Sequence, residues 1–199
     1  LTNDGGMVDR LVSISSSLSE RVEIHESAVS NGVASMRPVP NGVEIGAGEI
    51  DTVNSSVDFV LTPKLERLNL TGTDDVDGTG NALANRIVGN AGANRLDGGG
   101  GVDTLIGGAG NDVYVVDRAG DTLTEVKDEG IDLVLSSVSL ALDVNFEHLT
   151  LTGEFDIDGT GNALANTLTG NAGDNRLDGK TGADQLAGGA GDDVYVVDD

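Results

Sequence analysis

The chain has 199 residues, 34 acidic against 11 basic side chains, a formal charge of −23, 30 glycines, and neither cysteine nor tryptophan. Such a charge repels nucleic acid and anionic membrane surfaces, and no run of about 18 apolar residues is present to span a bilayer as a helix. The apolar residues, mostly Leu, Val, Ile and Ala at short regular spacing, suit a thin layered core, and the lack of cysteine leaves metal rather than disulfides as the natural staple.

In chain order, residues 1–36 come first. LTNDGGMVDR lacks the pattern of a signal peptide, and with Leu at position 1 the chain reads as an excised or processed piece. The segment MVDRLVSISSSL faintly matches GIDLVLSSVSLAL further on, so 1–36 is expected to be a β-rich or capping segment. From 37 onward the sequence repeats. Glu66–Asp117 align without gaps on Glu147–Asp198, an offset of 147 − 66 = 81, and 15 of the 52 positions differ. Asp51, Ser55, Ser56, Val57 and Leu61 extend the match to Asp132, Ser136, Ser137, Val138 and Leu142. The expected organisation is therefore a first unit at 37–117 and a second at 118–199.

Each unit has two textures. One half is made of β-branched, alternating runs, DTLTEV, DLVLSSVSLAL and EHLTL in 118–151, broken by Gly and Asp; these read as strands. Pro38, Pro40 and Pro63 sit in connections, where a missing N–H costs little. The other half is built of nonapeptides: 80–88, 89–97, 98–106 and 107–115, then 161–169, 170–178, 179–187 and 188–196. Gly98–Ile106 and Gly107–Val115 both fit GGxGxDxUx, where U is a large apolar residue. The apolar eighth residues are Ile87, Leu96, Leu105 and Tyr114, then Leu168, Leu177, Leu186 and Tyr195. No segment has a helical period with caps. The predicted fold is all-β, a parallel β-roll or β-solenoid of nonapeptide repeats.

In each nonapeptide six residues make a turn and three a short strand. Glycine supplies the positive φ that a tight turn needs if its carbonyls are to point inward. Two nonapeptides bring the chain back over itself, so turns 18 residues apart stack at the strand spacing of about 4.8 Å. An ion between such turns meets carboxylates and carbonyls, the all-oxygen environment that calcium takes; zinc is disfavoured without Cys or paired His. The stacking offset pairs Asn85 with Asp103, Asn94 with Asp112, Asn166 with Asp184 and Asn175 with Asp193. The candidate ligands around them are Asp97, Gly98, Gly100, Gly101, Gly107, Ala109 and Gly110, and Asp178, Gly179, Thr181, Gly182, Gly188, Ala190 and Gly191. Asn offers an oxygen without a charge, so each predicted site holds about one carboxylate and is expected to bind more weakly than a two-carboxylate site.

The motifs GGGGVDTLI, GGAGNDVYV and GGAGDDVYV, with the looser GNAGANRLD and GKTGADQLA, resemble the RTX family, the hemolysin-type calcium-binding repeats of type I secreted proteins. The resemblance covers about 72 residues as nonapeptide blocks, 36 of them with strong motifs. It implies a β-roll with several structural Ca2+ ions between alternate loops, in a chain that stays unfolded in a calcium-poor cytoplasm and folds after export. RTX proteins usually carry a C-terminal secretion signal after the repeats, whereas this sequence stops at Asp199.

Other motifs point nowhere. GKT at Gly179–Thr181 lacks the phosphate-loop glycine at 174, which is Asp174. His25 and His148 are isolated, and no Ser–His–Asp set stands out. The expectation is a non-enzymatic, calcium-binding structural module of a secreted or cell-surface bacterial protein (an adhesin, matrix, fibre or layer component), capable of end-to-end self-assembly or attachment to a larger parent protein. The alternative is the accessory module of a secreted protease, lipase or alginate epimerase.

Overall fold

In the computed structural model of the chain, residues 50–127 and 129–198 are described, preceded by the backbone of four short strands. These are β1 (Val12–Ser15), β2 (Arg21–Ile24), β3 (Val29–Ser30) and β4 (Val33–Ala34). The first unit continues with β5 (Thr52–Ser55), β6 (Asp58–Val60), β7 (Arg67–Leu70), β8 (Gly78–Asn81), β9 (Arg86–Val88), β10 (Arg95–Gly99), β11 (Thr104–Ile106) and β12 (Val113–Val116). The second carries β13 (Thr122–Thr124), β14 (Leu133–Ser136), β15 (Leu140–Ala141), β16 (His148–Leu151), β17 (Gly159–Thr160), β18 (Thr167–Thr169), β19 (Arg176–Asp178), β20 (Gln185–Ala187) and β21 (Val194–Val196).

The strands are short because every few residues a Gly, Asn or Asp turns the chain. From β5 on, successive strands alternate between two walls, and each pairs in parallel with the strand two places later as far as the chain allows, except β13, which does not pair with β15. One wall is a ten-stranded sheet in the order β20-β18-β16-β14-β12-β10-β8-β6-β4-β3. The other consists of a seven-stranded sheet, β13-β11-β9-β7-β5-β1-β2, and a four-stranded one, β15-β17-β19-β21. The described residues contain no helix, and the whole is a β-solenoid of about 8 turns. At its start β1 lies antiparallel on β5, and β4 parallel on β6. The rest of 1–49, including the boundary expected at residue 37, lies outside the described residues. Strand pairing runs across the boundary expected at 117, with Tyr114 on Val134.

Coil length follows the repeat. Within the glycine-rich blocks partners stand 18 apart, Ile87 on Leu105 and Leu96 on Tyr114. Outside them the coils vary: Asp51 and Glu66 meet at 15 residues, Asp58 and Asp77 at 19, and Asp112 and Asp132 at 20. The 15-residue coils close on a tight turn. At Thr62–Leu65 the Leu65 N–H reaches Thr62 O at 3.3 Å, with Pro63 at the second position and Lys64 at φ 80°. Proline presets that turn and a positive φ follows it; in the second unit Asn145, the counterpart of Lys64, has φ 73°.

Inward-facing residues form columns through the stack. Val53, Leu68, Ile87 and Leu105 rise along one wall, and Leu96, Tyr114, Val134, Leu149 and Leu168 along the other, all fully buried. Gly78 sits in this column under larger neighbours; a Cβ there would come within 3.0 Å of Ile87 and Leu68 side chains. Tyr114 meets Phe146 edge-on, with centroids 5.1 Å apart, an arrangement the aromatic quadrupoles favour. Leu186 is only partly buried, and Tyr195, expected at the core or its edge, is 48 % exposed because no described coil lies over β21. His148, expected at the surface, is half-buried in β16.

A thin core makes each column residue count. Leu105→Ala is expected to destabilise the folded chain by about 2–5 kcal/mol, whereas Leu83→Ala, on an exposed turn, should stay within about 0.5 kcal/mol; urea unfolding of both variants checks this.

Candidate metal sites

From β5 on, every strand but β15, which follows Ser139, begins at or just after an acid or amide, and these residues stack into a ladder. On the first wall Asp51 N–H reaches Glu66 Oε2 at 2.9 Å, Asn85 N–H reaches Asp103 Oδ1 at 2.7 Å, and Asp103 N–H reaches Asp121 Oδ1 at 3.0 Å. On the second, Asn94 N–H donates to Asp112 Oδ1 at 2.8 Å, Asp112 N–H to Asp132 Oδ1 at 2.8 Å, and Asp132 N–H to Glu147 Oε2 at 2.9 Å. Further along, Asn166 and Asn175 donate in the same way to Asp184 and Asp193, at 2.8 and 3.0 Å. The four pairs expected from the 18-residue offset are thus neighbours through a backbone N–H and a carboxylate oxygen.

The two residue types play unequal parts. Asn can both accept and donate. Asn94 Oδ1 accepts the N–H of Asn90 at 2.8 Å, and its Nδ2 donates to Val76 O at 2.7 Å in the coil beneath. Asn85, Asn166 and Asn175 do the same with Leu65, Phe146 and Ile157 carbonyls, at 2.9, 2.9 and 2.7 Å. A carboxylate has no proton to give. Asp103 Oδ2 and Asp112 Oδ2 are buried and have no hydrogen-bond partner, the costly condition for a polar atom. The amide of Asn bridges to the coil below by itself; the two Asp side chains await something positive.

The turns around these oxygens bring carbonyls close. Gly99, at φ 72°, lies over Asn81, and a Cβ on it would come within 2.7 Å of Asn81 O. Gly108, at φ 102°, lies over Asn90 O in the same manner, with a Cβ distance of 2.6 Å. Gly98 and Gly107 lie against the carboxylates of Asp103 and Asp112, and Gly101 and Gly110 over Leu83 O and Gly92 O; Gly100 and Ala109 complete these turns. The equivalent turns, with Gly179, Thr181, Gly182, Gly188, Ala190 and Gly191, belong to the last described coils, where Asp184 and Asp193 are half-buried. Lys180 takes the place of Gly99 there and adopts φ 66°.

Asp97 and Asp178 stand apart from the pairs. Asp97 Oδ1 accepts the Gly99 N–H at 3.0 Å, and Oδ2 pairs with Arg95 at 3.2 Å. Asp178 Oδ2 pairs with both Arg176 and Lys180 at 3.1 Å. Desolvation is the largest single influence on the Asp178 carboxyl and raises it, but the hydrogen bonds and charge of Lys180 and the hydrogen bond of Arg176 together outweigh it and hold the group below the usual range. These two acids already have cations in the chain.

Burial pushes Asp103 up from 3.8 to about 6 and Asp112 to about 7, partly offset by the N–H groups of Asn85 and Asn94 and reinforced by nearby acids, Asp121 and Asp117 for the first, Asp132 and Glu125 for the second. A cation would favour the charged form of both. The donors are all oxygen, two carboxylate oxygens are buried without partners, and the glycines leave no Cβ in the way. The donor set therefore fits calcium, for which Asp103 and Asp112 would supply the charged oxygens and turn carbonyls the neutral ones.

Five ladder members escaped the nonapeptide pattern, Asp51, Glu66, Asp121, Asp132 and Glu147, as did Glu125 beside them. Glu66 and Glu147 are aligned by the 81-residue offset, as are Asp51 and Asp132, so that repeat held the signal.

The Asn amide makes a specific expectation. Asn94→Asp removes the donor to Val76 O and sets a second buried carboxylate beside Asp112. The metal-free chain should lose about 1–3 kcal/mol, while its calcium affinity should rise; paired urea melts in chelator and in calcium measure both.

Comparison with known proteins follows the same lines. The model of the RTX calcium-binding nonapeptide repeat, in four copies, matches residues 79–114 and 160–195, one residue ahead of the expected blocks. The model of the LpqE-like lipoprotein family matches residues 1–67. No curated protein and no solved structure gives a significant match. The two glycine-rich blocks, each laid down as stacked turns with buried aspartates, match RTX calcium-binding nonapeptide repeats over residues 79–114 and 160–195.

Proposed function

We propose that this chain is a calcium-locked structural module of a secreted or cell-surface protein, with the 37–117 and 118–199 units acting as two lengths of one β-roll and no catalytic centre of their own. The observation that carries this reading is the pair of buried, partnerless oxygens, Asp103 Oδ2 and Asp112 Oδ2, in the stacked turns. Calcium is structural here: it neutralises carboxylates that the stack brings together and so permits the turns to close. A net charge of −23 opposes compaction until ions bind. Extracellular modules bind calcium at about 10⁻⁴–10⁻³ M, which would keep the chain open in a calcium-poor cytoplasm and close it outside. The LpqE-like lipoprotein match over residues 1–67 supports an exported or surface-held parent.

Two measurements test the reading. Calcium at millimolar concentration should raise the far-ultraviolet β signal and shrink the radius of gyration by X-ray scattering, with chelator reversing both; unchanged spectra and dimensions would overturn it. The second uses pH. In chelator the folded pKa values of Asp103 and Asp112, about 6 and about 7, lie above the unfolded value of 3.8. The native state then binds more protons than the unfolded one between those values, so its stability falls as pH rises through them. The β signal of the chain in chelator is therefore expected to be stronger at pH 5 than at pH 8. Saturating calcium should remove that advantage, because metal binding requires the deprotonated ligands.

A further inference from the structure

One group of carboxylates lies outside the pattern of stacked nonapeptides. Asp112 enters β12, Glu125 follows β13, and Asp132 enters β14. All three are buried, at 1, 7 and 1 % exposure, and one oxygen from each lies within 4.8 Å of the others. Only Asp112 belongs to a nonapeptide; the family match ends at residue 114 and resumes at 160.

The backbone explains how Glu125 gets there. Ile106 pairs with Thr124, so Glu125 stands one coil above Gly107, where a further repeat would place glycine. Gly107 has no side chain, and the room that its Cβ would fill is occupied by Asp112 Oδ2, Tyr114 Oη and Glu125 Oε2. The Tyr114 hydroxyl donates to Glu125 Oε2, and Glu125 Oε1 accepts the Val126 N–H at 2.8 Å. Asp132 Oδ1 accepts the Asp112 N–H, and Asp112 Oδ1 the Asn94 N–H, each at 2.8 Å. These bonds hold all three carboxyl groups in place.

A second observation is independent of the clustering. Asp112 Oδ2, on a side chain almost wholly buried, has no hydrogen-bond partner and faces the point where Glu125 and Tyr114 meet. The neighbouring charges that bear on Asp112 are those of Asp132 and Glu125, both negative. Like charges gathered away from water require a cation or they repel the coils apart. The set contains oxygen alone, which selects a hard divalent ion.

We propose that Asp112, Glu125 and Asp132 hold a calcium ion at the junction of the two 81-residue units, distinct from the ions between stacked nonapeptide turns. The identity of the ion rests on the calcium reading above; the existence of a site rests on the cluster. Its role follows from its place. The coil from Asp112 to Asp132 spans 20 residues rather than 18, so the regular turn-on-turn register is lost there, and an ion shared by β12, β13 and β14 ties the irregular coil to the repeat block below it. Asp112 serves both the repeat and the junction.

The chain offers its own reporter, because it has two tyrosines and no tryptophan. In Tyr195→Phe the sole tyrosine is Tyr114, whose hydroxyl touches Glu125, and terbium can replace calcium as a luminescent probe excited through it. Glu125→Gln keeps the acceptor for Tyr114 and removes the charge; Asp132→Asn keeps the acceptor for Asp112 N–H. Each is expected to bind one calcium ion fewer in equilibrium dialysis and to lose Tyr114-sensitised terbium emission, with the β spectrum in saturating calcium retained. An unchanged ion count and unchanged emission in both folded variants would overturn the junction site. Asp184→Asn separates the two claims: if it lowers the count while Glu125→Gln and Asp132→Asn do not, the repeat sites stand and the junction site falls. A parent chain that binds no calcium overturns both.

Discussion

The fold depends on stacking carboxylates on top of one another out of water. A parallel solenoid places equivalent residues of successive coils in register, so an acid at a strand entry in one coil meets an acid or amide in the next. Along these columns the chain uses three solutions. Backbone N–H groups satisfy one oxygen of each acid, as Asn85 and Asn94 do for Asp103 and Asp112. Asn stands in place of Asp at Asn85, Asn94, Asn166 and Asn175, where its side-chain N–H reaches a carbonyl of the coil below and a second charge would repel. Where neither reaches, an oxygen is left buried and bare, and that is where a doubly charged ion belongs.

The apolar side of the stack is too slight to force this arrangement by itself. Each coil contributes one or two aliphatic side chains to the columns, and glycine at Gly78 and Gly159 makes room for the leucines beside it. Burial of a single such side chain contributes about 1.5–3 kcal/mol, while the uncompensated burial of carboxylates works against folding. On the proposed reading, bound calcium would reverse the sign of the electrostatic contribution at these stacked carboxylates. A module built this way can be unfolded where calcium is scarce and ordered where it is abundant, with no change in sequence or covalent structure.

Much of this was legible before any coordinates. The nine-residue period gave the 18-residue coil, and Ile87, Leu96, Leu105 and Tyr114 at the eighth position are the core of the first block. The alternating β-branched runs placed the non-glycine segments as strands. What the period could not carry was the part of the ladder in coils of 15, 19 and 20 residues. There the spacing rule fails, and only the three-dimensional stack brings Asp132 to Asp112 or Glu66 to Asp51. Glu125 was invisible for a further reason: its importance lies in standing over a glycine, which no one-dimensional pattern records. Asp97 and Asp178 looked like spare ligands by position, but arginine and lysine two residues away engage them. Local charge pairing competes with metal binding, and the glycine pattern says nothing of it.

Crystals grown in millimolar calcium, with diffraction recorded at a long wavelength where calcium scatters anomalously, test the central claim most directly. Anomalous peaks are expected beside Asp103 Oδ2 and Asp112 Oδ2, within the carbonyl-lined turns. Stacked turns with those oxygens in the same buried positions and no anomalous peak near them would contradict it.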